Sequence, residues 1–237
     1  MTTRNVGRVV SLWRYPVKSM AAQSLDTVDV SWHGLVGDRR WAFIRDGVVR
    51  SGFPWLTIRE KPEMRNFVPF FADPTQPNKS VTMVRTPTGE ELDVVDQALA
   101  AHLGGGVRVI KQDMGVFDTF PLSLISTQTI ATLGGLTSLD LHPQRFRPNL
   151  LIDAPGEAFP EDAWVGAVLK IGSMRMRVDK PDGRCVMVNL DPISSESNPS
   201  VLKTIARERE SRLGVYGSTV EPGVVSVGDA VFLESKA

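Results

Sequence analysis

Residues 180–192 read KPDGRCVMVNLDP and contain the only cysteine of the 237-residue chain, Cys185. A single thiol cannot form an internal disulfide. Pro181-Asp182-Gly183 predicts a turn, which places Cys185 where a loop meets an apolar run. Arg184 puts a permanent positive charge beside the sulfur and favours the thiolate, the form that binds metals and attacks electrophiles. A small buried hydrophobic residue is the alternative interpretation of a cysteine followed by Val-Met-Val.

The charge balance limits the partners of this chain, because 27 Lys and Arg residues are matched by 27 Asp and Glu residues. There is no net field to hold a nucleic acid or an anionic membrane. The N-terminal residues predict a strand rather than a signal peptide, and no stretch reaches the length of a membrane span. We therefore expect a cytoplasmic protein. One cysteine excludes a CxxC pair, a zinc knuckle and a self-contained iron–sulfur cluster, so a redox enzyme would need electrons from another protein or a diffusible reductant.

Short strand patterns dominate the chain, and three helix patterns occur at residues 96–103, 126–135 and 199–211. Asp46-Gly47 predicts a hairpin after the strand at 40–45. The glycines at 134 and 135 predict the end of the second helix. Many strands with few helices predict a β-rich α+β architecture. We place a domain boundary between residues 105 and 106, which divides the chain into 1–105 and 106–237.

Three clusters pair cations with hydrogen-bonding neighbours at strand ends or in loops: Lys18-Ser19, Gly37-Asp38-Arg39-Arg40 and the segment QRFRPN at 144–149. Such groups can hold a phosphate or a polar heterocycle. Local ion pairs and solvated strand ends are the alternative for each cluster taken singly. The three histidines lack metal-ligand spacing, and there is neither a GxSxG elbow nor a Rossmann fingerprint. These features argue against a serine hydrolase and against direct binding of nicotinamide or flavin.

Taken in order, several motifs together resemble the MOSC-domain family with its N-terminal β-barrel domain. They are YPVKS at 15–19, GDR at 37–39, FRPN at 146–149, Arg184-Cys185 with Asp191-Pro192, and Gly228-Asp229. This group contains the mitochondrial amidoxime-reducing component and the C-terminal domain of molybdenum cofactor sulfurase. The resemblance covers nearly the whole chain. It implies a MOSC-type β-barrel with a few peripheral helices, packed against an N-terminal β-barrel-like domain.

The resemblance also implies a cofactor site. Cys185 would give a thiolate to the molybdenum of molybdopterin beside the two dithiolene sulfurs, a role that suits a soft ligand. Phe120 replaces a small polar residue of the mitochondrial relatives, so it can offer only its backbone. The positions implied to contact the phosphate and the pterin are Lys18, Ser19, Arg39, Thr119, Phe120, Arg147, Asn149, Gly183, Arg184 and Tyr216.

The function implied by the resemblance is reduction of N-hydroxylated compounds, namely amidoximes, hydroxylamines or N-hydroxylated bases. Electrons would come from a separate donor protein of the ferredoxin, flavodoxin or cytochrome type. No nucleic acid or membrane takes part.

Two alternatives remain open at this point. One is a carrier in which Cys185 holds a persulfide or the protein stores the cofactor. The other is a cofactor-free β-rich binding domain with a structural cysteine.

Overall fold

The computed structural model describes residues 3–48 and 51–234. Its strands are β1 (Thr3–Arg14), β2 (Gln23–Leu25), β3 (Thr27–Ser31), β4 (Gly34–Leu35), β5 (Trp41–Arg45), β6 (Val68–Phe71), β7 (Thr82–Arg85), β8 (Glu91–Asp93), β9 (Val107–Lys111), β10 (Leu122–Ser126), β11 (Leu150–Asp153), β12 (Val168–Ile171), β13 (Met174–Gly183), β14 (Arg212–Glu221), β15 (Gly223–Ser226) and β16 (Ala230–Glu234). The α-helices are α1 (Gln97–His102), α2 (Thr127–Thr137) and α3 (Ser200–Arg209), and 3₁₀ helices occupy Pro62–Asn66, Pro143–Phe146, Pro160–Trp164 and Val186–Asn189.

The described residues form two compact units that are discontinuous in sequence. The first unit contains residues 3–13, 24–35 and 119–234, and the second contains 14–23, 36–48 and 51–118. The chain therefore leaves the first unit and returns to it twice. The division at 105 and 106 inferred from the sequence stays a prediction.

A closed β-barrel forms the centre of the first unit. Its seven strands follow the order β11, β10, β14, β13, β12, β16 and β1, and β1 also pairs with β11 and so closes the ring. β10 and β11 are parallel, whereas β1 is antiparallel to both of its neighbours in the ring. Alternate residues fill the interior, as Met174, Met176 and Val178 of β13 do. The β-rich barrel with few helices predicted from the sequence is confirmed.

Polar side chains fix the starts of the helices in the first unit. Ser126 caps α2, because its Oγ accepts the amide of Thr129 at 3.1 Å. At α3, Oδ1 of Asn198 accepts the amide of Ser200 at 3.0 Å. Each side chain satisfies a backbone N–H that has no partner within the helix. None of the helices in the described part of the chain is long and apolar enough to cross a bilayer.

Small sheets make up the second unit. β5 pairs with β9, and β6, β7 and β8 form a three-stranded antiparallel sheet. β7 and β8 are joined as a hairpin across residues 86–90. The predicted first helix corresponds to α1, whose N-terminal amide at Ala98 is capped by Asp96 at 2.8 Å.

Two local predictions are wrong. Pro181-Asp182-Gly183 is not a turn but the irregular end of β13, because pairing with β14 continues past it with shifts in register. Helix α2 runs through its glycines to Thr137, and its C-cap Ser138 adopts a left-handed φ of 55°. In both cases pairing or packing outweighs the local turn signal. The turn predicted at Asp46-Gly47 is present, and β5 pairs antiparallel with the chain beyond it through Ile44 and Trp55 as well as with the distant β9.

Candidate functional site

Cys185 lies at the junction of β13 and the 3₁₀ helix Val186–Asn189, for which it is the N-terminal capping residue. Its carbonyl oxygen accepts the amide of Val188 at 3.1 Å. The residue is half-buried and does not belong to the apolar core. A Cβ built on Gly183 meets no atom within 4 Å, so the backbone two residues earlier faces open space. The thiol thus has the partial exposure that a ligand of an external group requires.

The side chain of Arg184 is directed into the first unit, with only 7% of it exposed. Its Nε donates to the carbonyl of Leu213 at 2.7 Å, and its Nη1 donates to that of Phe146 at 2.8 Å. Nη2 forms an ion pair with Asp182 Oδ2 at 2.9 Å. The positive charge that the sequence placed beside the sulfur is therefore shared with a buried carboxylate. Arg184 holds backbone segments together.

Gly214 of β14 makes room for this guanidinium. A Cβ at this position would lie 3.1 Å from Nη2 of Arg184 and 2.8 Å from the carbonyl oxygen of Leu124. The φ angle of Gly214 is 72°, a left-handed value that favours glycine. Glycine thus allows β14, β10 and the arginine next to Cys185 to pack closely.

Arg145 is a second buried arginine next to the segment of Cys185, and 4% of its side chain is exposed. Its Nη1 donates to the carbonyls of Val188 and Asn189 at 3.1 and 3.0 Å, which end the 3₁₀ helix that follows Cys185. Its Nη2 pairs with Asp191 Oδ2 at 2.5 Å. Burial lowers the pKa of Arg145 from its usual value, and the charge of Asp191 opposes that effect.

These contacts cross-link the two sequence motifs of the first unit. Arg184 binds the backbone at Phe146, and Arg145 binds the backbone that follows Cys185. Arg147 directly follows Phe146 and adopts a left-handed φ of 51°. The structure therefore brings the arginine motif and the cysteine motif into contact. The family resemblance implied that Arg147 and Cys185 lie close together. The sequence alone does not show this, because the two residues are 38 positions apart.

Asn149 has a structural position in the first unit. It is almost completely buried, and its Nδ2 donates to the carbonyl of Trp13 at 3.2 Å. Its Oδ1 accepts the amide of Ser123 at 3.1 Å. The side chain thus connects the start of β11 to β1 and β10. Its predicted contact with a cofactor stays a prediction.

Phe120 and Tyr216 contact each other, with ring centroids 6.4 Å apart and ring planes inclined by 37°. Lys180 lies opposite Tyr216 in the pairing of β13 with β14, and its Nζ is 5.7 Å from the centre of the Phe120 ring. Thr119 is exposed next to this group. Lys180 was not selected from the sequence, although its place in the cysteine-containing segment was a usable signal. Together these side chains provide a cation and two aromatic faces.

Three predicted site residues belong to the second unit. Lys18 is buried, and its Nζ donates to Asp118 Oδ1 at 2.5 Å and to the carbonyl of Val116 at 3.1 Å. Arg39 pairs with the buried Asp38, and its guanidinium stacks 4.6 Å from the centre of the Tyr15 ring. Ser19 and Arg39 both have a left-handed φ, at 69° and 48°.

Cations and carboxylates lie close together around these residues. Burial raises the pKa of Asp118, but Lys18, Arg59 and Arg39 more than compensate, so that this pKa lies below its usual value. Burial also lowers the pKa of Arg14 to about 10, against the opposing effect of Asp38. Arg40 faces Asp113 as well as Asp38.

The residues of the first unit fit a molybdopterin cofactor by their chemistry. That cofactor requires one soft metal ligand together with cations and amides for its polar groups. Cys185 offers the thiol, the backbone at Gly183 is open, and Lys180 and Arg147 are cations of the cysteine segment and of the segment linked to it. Within residues 3–48 and 51–234, no group of three or more His, Cys, Asp or Glu side chains could hold a metal ion.

Comparison with known proteins identifies both parts of the chain. The model of the MOSC N-terminal beta barrel domain matches residues 6–119, and that of the MOSC domain matches residues 111–232. Molybdenum cofactor sulfurase of Drosophila mojavensis is 26% identical over 253 aligned residues, which cover 88% of this chain and 31% of that protein. The human protein of that name is 24% identical over 269 aligned residues, which cover 88% of this chain and 29% of the human protein. This chain thus spans about a third of the length of these relatives.

A solved structure supports the fold. The YUAD protein from Bacillus subtilis is 12% identical and has a TM-score of 0.56, with 100% of this chain and 99% of that chain covered. At this identity the likeness concerns the fold alone. The two domain matches together extend over nearly the whole sequence, and the chain belongs to the MOSC domain family.

Proposed function

We propose that this chain binds a molybdenum cofactor through Cys185 and reduces N-hydroxylated compounds. The observation that carries the proposal is the pair of arginine contacts that joins the segment of Cys185 to the segment of Arg147. The segment of a half-buried cysteine is thereby held against the segment of a second cation, Arg147. Family membership and the similarity to proteins named molybdenum cofactor sulfurase support the choice of cofactor.

The overall reaction fixes what the protein must supply. Reduction of an amidoxime to an amidine breaks the N–O bond, consumes two electrons and two protons, and releases water. A bound molybdenum cofactor supplies the two-electron redox chemistry. The chain's own residues bind and orient the cofactor: Cys185 ligates the metal, while Arg147 and Lys180 neutralise negative charge. Electrons come from a donor outside these 237 residues, since their single cysteine cannot hold an iron–sulfur cluster.

Cofactor analysis of Cys185→Ser tests this proposal. The protein is produced in a host that makes molybdenum cofactor, and molybdenum and pterin are measured per chain. We expect stoichiometric amounts in the unaltered protein and loss of bound molybdenum in Cys185→Ser, because a hydroxyl is a poor replacement for a soft thiolate. Met187→Leu, a volume-conserving change in the following 3₁₀ helix, is the matched control and should retain the metal. Equal metal content in Cys185→Ser would refute the assignment of the ligand.

Turnover is measured with the same proteins. An amidoxime or N-hydroxylated base is supplied with a chemical reductant, and the deoxygenated product is quantified. Activity should follow the molybdenum content of each variant. A molybdenum-loaded protein that converts none of these substrates would contradict the reductase proposal while leaving cofactor binding intact.

A second candidate function is a sulfur or cofactor carrier, which the names of the curated relatives favour. In this role Cys185 holds a persulfide, and no substrate is reduced. Intact mass distinguishes the two functions, since one added sulfur on Cys185 without molybdenum supports the carrier. The partial exposure of Cys185 is compatible with transfer of sulfur to a partner.

A further inference from the structure

The 3₁₀ helix that follows Cys185 depends on a side chain from outside it. It contains only the four residues Val186–Asn189, and so short a segment has little stability of its own. The carbonyls of Val188 and Asn189 at its end have no partner within it, and outside it the carbonyl of Asn189 also accepts the amide of Asn198 at 2.8 Å. Arg145 donates to both of them, at 3.1 and 3.0 Å.

Asp191 extends this support to the next loop. Its Oδ2 accepts the second nitrogen of Arg145, while its Oδ1 accepts the amides of Ile193 and Ser194, both at 2.9 Å. Asp191 also receives the amide of Ser195 on its carbonyl oxygen, and its own amide donates to Glu196. Arg145 and Asp191, a partly buried ion pair, therefore hold the end of the helix and the loop beyond it, respectively.

Arg145 also belongs to the segment of Arg147, the cation of the site. Residues 143–146 form a 3₁₀ helix that ends at Arg147. A guanidinium that holds the segment of Cys185 is thus two residues away from that cation. In the opposite direction, Arg184 donates from the cysteine segment to the carbonyl of Phe146. The two links run in opposite directions between the same two segments.

We propose that Arg145 is a positioning residue that sets the geometry of Cys185 relative to Arg147. Its relevance to catalysis rests on the proposed function, whereas its effect on the cysteine segment does not. A lysine cannot take this role, because one ammonium does not reproduce the planar fork that reaches two carbonyls and a carboxylate together. Burying an ion pair rarely adds stability over apolar packing. In this fold its benefit is a single defined arrangement of the two segments.

The test measures the local mobility of the cysteine segment in the full-length apoprotein. Arg145→Gln and Arg145→Lys are compared with the unaltered protein by amide hydrogen exchange and by the alkylation rate of Cys185 with iodoacetamide. We expect Arg145→Gln to raise the alkylation rate and the exchange of the Val188 and Leu190 amides about tenfold, because two carbonyls and a carboxylate lose a charged partner. Arg145→Lys should restore only a small part of the difference.

Arg175→Gln is the matched control. Arg175 pairs with Glu234 at 2.5 Å and with Glu221 at 3.4 Å on strands of the same barrel. Its loss should change neither the alkylation of Cys185 nor the exchange in residues 185–197. If Arg145→Gln accelerates exchange equally throughout the first unit, or leaves the alkylation rate unchanged, the positioning role is wrong.

Two further measurements keep the result decisive. Asp191→Asn retains the shape of the acceptor and should also raise the alkylation rate of Cys185, by a smaller factor than Arg145→Gln. An unchanged alkylation rate in Asp191→Asn would overturn the proposal, even if Arg145→Gln fails to fold. Molybdenum and pterin content is then measured in every variant from a cofactor-producing host. If the unaltered protein binds no molybdenum while Cys185 responds as expected, the proposed function fails and the positioning role stands.

Discussion

At the scale of single residues, the two arginines beside the site motifs act mainly on the backbone. The sequence assigned Arg184 to the electrostatics of Cys185, but its guanidinium binds two carbonyls and Asp182. Arg145 belongs to the cation cluster at 144–149, for which the sequence left open a ligand or a local ion pair, and it proves to be buried. An arginine next to an aromatic residue has the same sequence pattern whether it is buried or solvated, so only its contacts reveal its role.

Asp191 gives a pH-dependent prediction. Burial raises its pKa, but the amides of Ser194 and Ile193 and the charge of Arg145 outweigh burial, so the folded pKa lies below the usual 3.8. The unfolded state then binds more protons, and the contribution to stability is present above pH 3.8 and lost as the pH falls through the folded pKa. Urea unfolding from about pH 7 to about pH 3 should show a shallower decline in Asp191→Asn than in the unaltered protein. Parallel curves would contradict this assignment.

At the scale of secondary-structure elements, the close packing of β14 on β10 depends on Gly214. The strand pattern of β14 was missed, because its glycines at 214 and 217 interrupt the alternation of apolar residues. Both glycines lie where a Cβ would meet a backbone oxygen of a neighbouring strand, at 2.8 and 2.4 Å. Glycine is therefore required here by close approach of the backbone and is compatible with the strand.

Gly214→Ala should reduce the free energy of unfolding by about 2 kcal/mol or more, because alanine is strained at positive φ and its Cβ contacts Leu124 and Arg184. Chemical denaturation measures the change. Gly135→Ala is the matched control, since Gly135 lies within α2 and its Cβ would meet no atom within 4 Å. That change should raise the free energy of unfolding by about 0.5–1 kcal/mol. Equal losses in both variants would refute the argument from packing.

At the scale of the whole molecule, closure of the barrel joins distant parts of the chain. β1 lies at the N-terminus and pairs with both β11 and β16. Sheet β15-β3-β4 likewise combines residues 27–35 with residues 223–226. A fragment of residues 106–237 therefore lacks a strand that closes the ring, and two edges would be left unpaired.

Truncation tests this dependence. A chain of residues 106–237 should show no cooperative thermal unfolding by circular dichroism. Val9 and Leu12 of β1 belong to the apolar core, and removal of β1 would expose the core residues that they cover. A longer fragment that restores β1 by circular permutation, with 3–13 fused after residue 234, is the control and should regain cooperativity. Cooperative unfolding of the 106–237 fragment would support the sequence-based boundary instead.

The sequence by itself determined the β-rich class, most strands and helix starts, and the family, because alternating apolar residues, capping side chains and ordered motifs are local signals. Tertiary structure decided which strands close the barrel, that β5 pairs with β9, and that the end of β13 is not a turn. It also decided that Arg145 and Arg184 are buried between the segments of Cys185 and Arg147. These outcomes depend on contacts between residues far apart in the chain, and the energies of such contacts outweigh local preferences only once the folded chain brings the residues together.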